Sequence, residues 1–230
     1  SNAEGPPRGA RPLLQEGERE AAQRQALGRP NYHHGDTMKL YYAPGACSLA
    51  PHIALVEAGI AAETIRVDLK THTLPDGTDY HAVNAKGYVP VLELDDGSRF
   101  AEVAVLLQII ADRKPGTLAP EVATIERYRL NEWLNYVATE IHKGYGTLWH
   151  PEVGEAAVAA ATKTLKKRYA FVEMQLGKTQ YLAGNAFTIA DAYLFTVTNW
   201  SHFLKLDLSE FPHLQAYMKR VAERPGVIAA

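Results

Sequence analysis

With 24 Lys and Arg against 26 Asp and Glu, this 230-residue chain has a formal net charge of -2 and a pI near 6.5, which excludes the basic footprint of a nucleic-acid binder. Its 47% hydrophobic and 22% charged residues are ordinary for a soluble globular protein with a real core. The longest apolar run, from Val103 to Ala111, is far too short to cross a bilayer, and nothing near the N-terminus reads as a signal-peptide core, so no membrane partner is expected.

Ser1-Asn2-Ala3 reads as an expression scar. Residues 4–37 read as a non-catalytic extension rich in Pro, Gly, Arg, Glu and Gln, with a short helix near Glu16–Leu27, and Met38 reads as the native start. Lys39–Tyr42 is a strand stopped by Pro44-Gly45. Helical spacing then runs from Ser48 to Ala58, with Gly59 as its stop, and Thr64–Val67 is the next strand. A single helix between two strands implies a right-handed parallel βαβ unit. Val89–Leu92 and Ser98–Phe100 flank the turn Asp95-Asp96-Gly97 as a hairpin, with a cis bond plausible at Val89-Pro90, and an apolar helix covers Val103–Arg113.

That order is the layout of a thioredoxin-like domain over residues 38–115. Pro115-Gly116 opens a linker, 116–121, and residues 122–230 read as all-helical, with segments near Val122–Tyr145, Glu155–Gly177, Thr188–Leu204 and Pro212–Arg224. The fold class is therefore α/β plus all-α: a thioredoxin-like domain followed by a helical bundle. Thr188-Ile-Ala-Asp191 is a capping box, and Phe187 before it is placed to act as a hydrophobic staple.

The chain has one cysteine, Cys47, at the first strand-to-helix junction. A thiol there faces unpaired backbone N–H groups and the positive end of the helix dipole, both of which favour thiolate. Ala50 stands where the second thiol of a Cys-x-x-Cys pair would be, which excludes dithiol exchange and leaves monothiol chemistry, binding of a thiol ligand, or an inert cysteine. A single Cys and the lack of a leader point to a reducing cytoplasm. His33-His34 with Asp36, and His142 with His150, lack ligand spacing, so no metal is expected.

Four stretches in order carry a family resemblance: Tyr41–Ala50, Asn84–Pro90, Glu132–Gly144 and Tyr181–Tyr193. Across nearly all of 38–230 the chain resembles the glutathione S-transferases, most closely the bacterial beta class. The resemblance implies the glutathione transferase fold, a homodimer, glutathione as co-substrate and a small electrophile as second substrate, with detoxification as the family's role. It implies that Cys47 lies beside the glutathione sulfur, where it either hydrogen-bonds the ligand thiolate for conjugation to an electrophile or forms a mixed disulfide with it in glutathione-linked thiol exchange. It also implies that the Val89 backbone pairs with the cysteinyl part of the tripeptide, and that Glu102 meets the γ-glutamyl ammonium. Val103 would offer its N–H to the γ-glutamyl carboxylate at a helix start. His72 aligns near the basic residue that faces the glycine carboxylate, with Lys70 two positions earlier.

Asn135 and His142 match two polar residues near the sulfur, and seven residues apart they share a face of one α-helix. Tyr42, a rival thiol activator, and Tyr145, Trp149 and Trp200 would line the electrophile pocket. Cys47 and His142 are the expected catalytic pair, and Ser48 is either a helix cap or a second donor. Val103 replaces a small residue, often Ser, so a hydroxyl bond is lost and its branched side chain is expected to crowd the ligand. A neutral His72 would forgo a charge-assisted bond. These two departures keep a second reading open: a non-catalytic protein of the same fold that holds an apolar ligand or a protein partner.

Overall fold

The computed structural model describes residues 38–230; the helix expected at Glu16–Leu27 and the His33, His34 and Asp36 group lie outside the described residues. Four strands form one sheet in the order β2-β1-β3-β4: β1 (Met38–Tyr42), β2 (Ala62–Arg66), β3 (Val91–Glu93) and β4 (Arg99–Phe100). β1 pairs parallel with β2, Leu40 opposite Thr64, and antiparallel with β3, Leu40 opposite Leu92. The expected hairpin closes β3 on β4. Alternation along β1 sends Met38 and Leu40 into the main core, while Tyr41 faces a smaller cluster with Val67, Tyr80, Val89 and Val91.

Between β1 and β2 runs α1 (Leu49–Ala58), ended by Gly59 at φ +62 as a left-handed stop. After β4 comes α2 (Val103–Arg113). Beyond Phe100 the described chain is helices joined by loops, with one bridge, Tyr181 to Gly184. The helices are α3 (Ile125–Tyr136), α4 (Glu155–Leu176), α5 (Ile189–Thr198), α6 (Trp200–Phe203), α7 (Pro212–Ala222) and α8 (Pro225–Ala229).

Two expectations need correction. The helix expected to run from Val122 to Tyr145 is α-helical only to Tyr136; it widens into a π segment, Val137–His142, and then tightens into 3-10 turns, Lys143–Trp149. Gly144 and Gly146, both poor helix formers, fall in the tightened stretch. The helix expected over Thr188–Leu204 breaks at Asn199. α8, with Pro225 in its first turn, was not anticipated.

One continuous core joins sheet and helices, from Met38 and Leu92 through Ile141 and Leu194 to Val221. Polar ties reinforce it. Lys114 Nζ donates to the Ala58 carbonyl at 2.7 Å, Arg127 pairs with Asp112 at 2.9 Å, and Arg224 grips Glu57 through Nε and Nη2 at 2.9 and 2.7 Å. None of the helices among the described residues is long and apolar enough to cross a membrane.

At the start of α5 the capping box forms as expected. Fully buried Asp191 accepts from the Thr188 N–H at 2.8 Å, the Thr188 hydroxyl at 2.9 Å, the Leu182 N–H at 2.9 Å and the Tyr217 hydroxyl at 3.2 Å. Phe187 packs on Tyr181 and under the Arg224 guanidinium, 4.1 Å from its ring centroid. Burial pushes Asp191 up to about 6 despite these donors.

Asp191→Ala is expected to lower unfolding free energy by about 3 kcal/mol or more, because each stranded buried donor costs roughly 1–3 kcal/mol; urea denaturation reads it directly. The folded-state value lies above that of an exposed aspartate, so folded protein holds this proton more tightly. The resulting stabilisation is complete below about pH 4 and is lost, to the extent of about 3 kcal/mol, as pH rises through 6. Asp191→Asn should remove that component from the pH dependence of stability.

Candidate active site

Cys47 sits just ahead of α1, in a loop that Ser48 builds. Ser48 occupies the cap position without capping; instead its buried hydroxyl accepts from the Ala43 N–H and donates to the Ala43 carbonyl, both at 3.1 Å. Cys47 Sγ donates to the Val89 carbonyl at 3.5 Å, across to the segment that enters β3 through the cis bond Val89–Pro90.

Position before a helix would favour thiolate, but desolvation opposes it and wins. Burial pushes the Cys47 thiol up to about 12, against the pull of a hydrogen bond from its own backbone; the Glu102 carboxylate adds a smaller push in the same direction. At neutral pH the group is a thiol and a hydrogen-bond donor.

Glu102 precedes α2 with φ +69 and ψ 114, a conformation rarely adopted outside glycine. Such strain persists only where the surroundings impose it, and it collects at functional sites. Lys86 Nζ lies 2.7 Å from Glu102 Oε1 and is the main cause of its lowered pKa, with Lys143 and His142 adding weaker pulls. Val103 opens α2, and its side chain is buried in the core. The side chain thus packs inward, and the first N–H groups of α2 have no partner within the helix.

His142 ends the π segment. Its Nδ1 is 2.7 Å from the Tyr193 hydroxyl, and its ring stands nearly perpendicular to Trp200 at 5.0 Å. Burial, and then the adjacent Lys143 ammonium, pulls the imidazole down to about 4, so it is neutral at pH 7. Trp200 donates from Nε1 to the Gly45 carbonyl at 2.9 Å, tying α6 to the Cys47 loop, and Trp149, 44% exposed, meets it edge-on at the rim. Tyr193 is influenced by Cys47 and Glu102 as well as by burial, all of which raise it.

Cys47, Val89, Glu102, His142 and Trp200 thus converge, together with Tyr193, Lys86 and Lys143, which sequence reasoning did not assign to a site. Tyr193 had a signal: a tyrosine in a fully buried helix needs a partner for its hydroxyl. The other expected residues have surroundings of their own. His72, at φ +52, meets His81 at a tilt with ring centroids 4.6 Å apart, and its buried Nδ1 has no hydrogen-bond partner among the described residues. Asn135 is exposed, and the π segment that follows breaks the α-helical phase expected to align it with His142. Tyr42 is half-buried beside His52. Tyr145, expected at the electrophile pocket, is fully buried and bonds to the Tyr169 hydroxyl at 2.8 Å; it is a core residue. His142 and His150 do not belong to any metal-binding group among the described residues.

Residues 45–113 match the family profile for the glutathione S-transferase N-terminal domain, and residues 136–225 match that for the C-terminal domain. The glutathione S-transferase GstA of Escherichia coli O157:H7 is 47% identical over 192 residues, covering 83% of this chain and 95% of that one. The chain belongs to the glutathione S-transferase family. Among solved structures, a sphingomonad glutathione S-transferase complexed with glutathione is 40% identical with a TM-score of 0.80, and the beta-class enzyme of Sphingomonas chungbukensis is 42% identical with a TM-score of 0.79. Each alignment covers 83% of this chain and 96% of the other. The likeness to beta-class glutathione S-transferases therefore holds across both halves of the fold.

Two expected outcomes follow from the neutral pair. The His142 ring nitrogens should show no titration above about pH 5 in the free transferase, read by NMR. Cys47 alkylation by iodoacetamide at pH 7.5 should run at least about tenfold slower than that of free cysteine, whose thiolate fraction is far larger. A fast, pH-independent reaction would mean that the thiolate prevails.

Proposed function

We propose that this chain is a beta-type glutathione transferase that joins the thiolate of glutathione to soft electrophiles. The observation that carries the reading is the convergence of the Cys47 thiol, on the Val89 carbonyl, and the His142 imidazole, on the Tyr193 hydroxyl, in one site edged by the strained Glu102, with burial favouring the uncharged form of both groups. Fixed donors in a desolvated site stabilise developing negative charge without reorganising, and a ligand thiol that must become an anion benefits most.

In this reading the cysteinyl part of glutathione lies along the Val89 backbone, strand fashion. Cys47 turns its S–H from the Val89 carbonyl toward the incoming sulfur. The γ-glutamyl ammonium meets Glu102 in exchange for the exposed Lys86, and its carboxylate meets the first N–H groups of α2. The thiol proton leaves to solvent, the thiolate attacks an electrophilic carbon and expels its leaving group (chloride from an aryl chloride) to solvent, and Cys47 and His142 hold the charge until the carbon–sulfur bond forms. Trp149 and Trp200 supply an aromatic wall. His72 and Asn135 belong to the glutathione side of the reading. Conjugation fits a thiol held near 12 better than disulfide exchange through Cys47 does. A homodimer in a reducing cytoplasm completes the proposal, and sedimentation tests the dimer.

Calorimetry should show saturable binding of reduced glutathione; the lack of heat up to millimolar ligand would overturn the proposal. With an activated aryl chloride, Cys47→Ala and His142→Ala should each lower kcat/KM by about 10- to 100-fold, whereas Cys47→Ser, which keeps a donor, should retain most of the rate. If both alanine variants keep full turnover and affinity, the assigned roles fall. Glu102→Gln should weaken glutathione binding about tenfold with little change in kcat.

A further inference from the structure

Tyr193 projects from α5, a helix whose ten residues are all buried. Its hydroxyl meets one hydrogen-bonding partner among the described residues, His142 Nδ1 at 2.7 Å. Two arrangements are open to such a pair. Either Nδ1–H donates to the phenol oxygen, or the phenol O–H donates to an unprotonated Nδ1.

The first would leave the phenol hydrogen without an acceptor in a site from which water is largely excluded, and a buried donor left unmade is the more expensive error. The second satisfies both groups. Burial and the neighbouring acids keep the phenol protonated, so its hydrogen is always present to donate. The imidazole is neutral and therefore carries a single ring hydrogen. With Nδ1 engaged as an acceptor, that hydrogen resides on Nε2. The perpendicular Trp200 ring does not compete, because its own N–H is committed to Gly45.

We propose that Tyr193 is a positioning residue that fixes His142 as its Nε2–H tautomer, so that the imidazole offers the site a donor and not a lone pair. The tautomer itself stands on the His142–Tyr193 geometry; its consequence for turnover rests on the glutathione transferase reading. A lone pair in that place would repel a thiolate, and a wrong tautomer is enough to disable a catalytic histidine whose position is otherwise intact.

The test is two-bond proton–nitrogen NMR on the full chain labelled with 15N-histidine at pH 7, with the His142 signals identified by their loss in His142→Gln. The wild type should show Nδ1 as the unprotonated nitrogen and Nε2 as the protonated one, and Tyr193→Phe should show a mixture. Nδ1–H in the wild type would overturn the proposal without needing any variant to fold, and an unchanged tautomer in a folded Tyr193→Phe would do the same. In turnover, Tyr193→Phe should lower kcat by roughly tenfold while leaving KM for glutathione nearly unchanged. If wild-type protein binds no glutathione, the functional reading fails while the nitrogen spectrum still decides the tautomer.

Discussion

Four donors converge on the Asp191 carboxylate, and much of the site hangs from that convergence. It anchors the loop before α5 through Leu182, the first turn through Thr188, and α7 through Tyr217. The segment between α2 and α3 joins the same point, since the Ile189 N–H donates to the Leu118 carbonyl at 3.0 Å. Two residues beyond Asp191 stands Tyr193, and α6 brings Trp200 to the loop of Cys47. Desolvating a carboxylate is unfavourable, yet the same low-dielectric surroundings strengthen each bond it accepts and fix one arrangement of the helices around it.

The site places dipoles where the sequence suggests charges. Cys47 and His142 both sit where burial removes their charged forms, while the ionised pair, Glu102 and Lys86, stays at the exposed edge. This division suits a reaction whose anion arrives with the ligand. A resident thiolate would repel that anion, whereas neutral donors attract it and need not be desolvated again.

Much of this was legible in the sequence because it depends on local pattern. Gly59 as a stop, the Asp95–Gly97 turn, the bounds of α2 and the capping box all follow from short-range rules, and the structure repeats them. Cys47, Val89, Glu102 and His142 were found through resemblance, and they do converge. What escaped depends on three-dimensional surroundings. The thiol's protonation turned on desolvation, which no junction motif reveals. Tyr145 and Trp200 look alike as helical aromatics, yet one is sealed in the core and the other braces the site. That Val103 packs into the core could not be read from its place at a helix start. Asn135 and His142 were aligned by assuming an unbroken α-helix.

That last error points to what the π segment does. A π turn holds a surplus residue within a helix, so Val137–His142 acts as a phase shifter: it sets the angle at which His142 leaves the helix without altering any side chain. Loss of one residue there would restore α-helical winding and swing the imidazole away from Tyr193 while leaving the composition of the site intact. In this stretch the spacing of the chain carries information that side-chain identity does not. A comparison scored only by matching residues would rank such a deletion as minor, although it would dismantle the site.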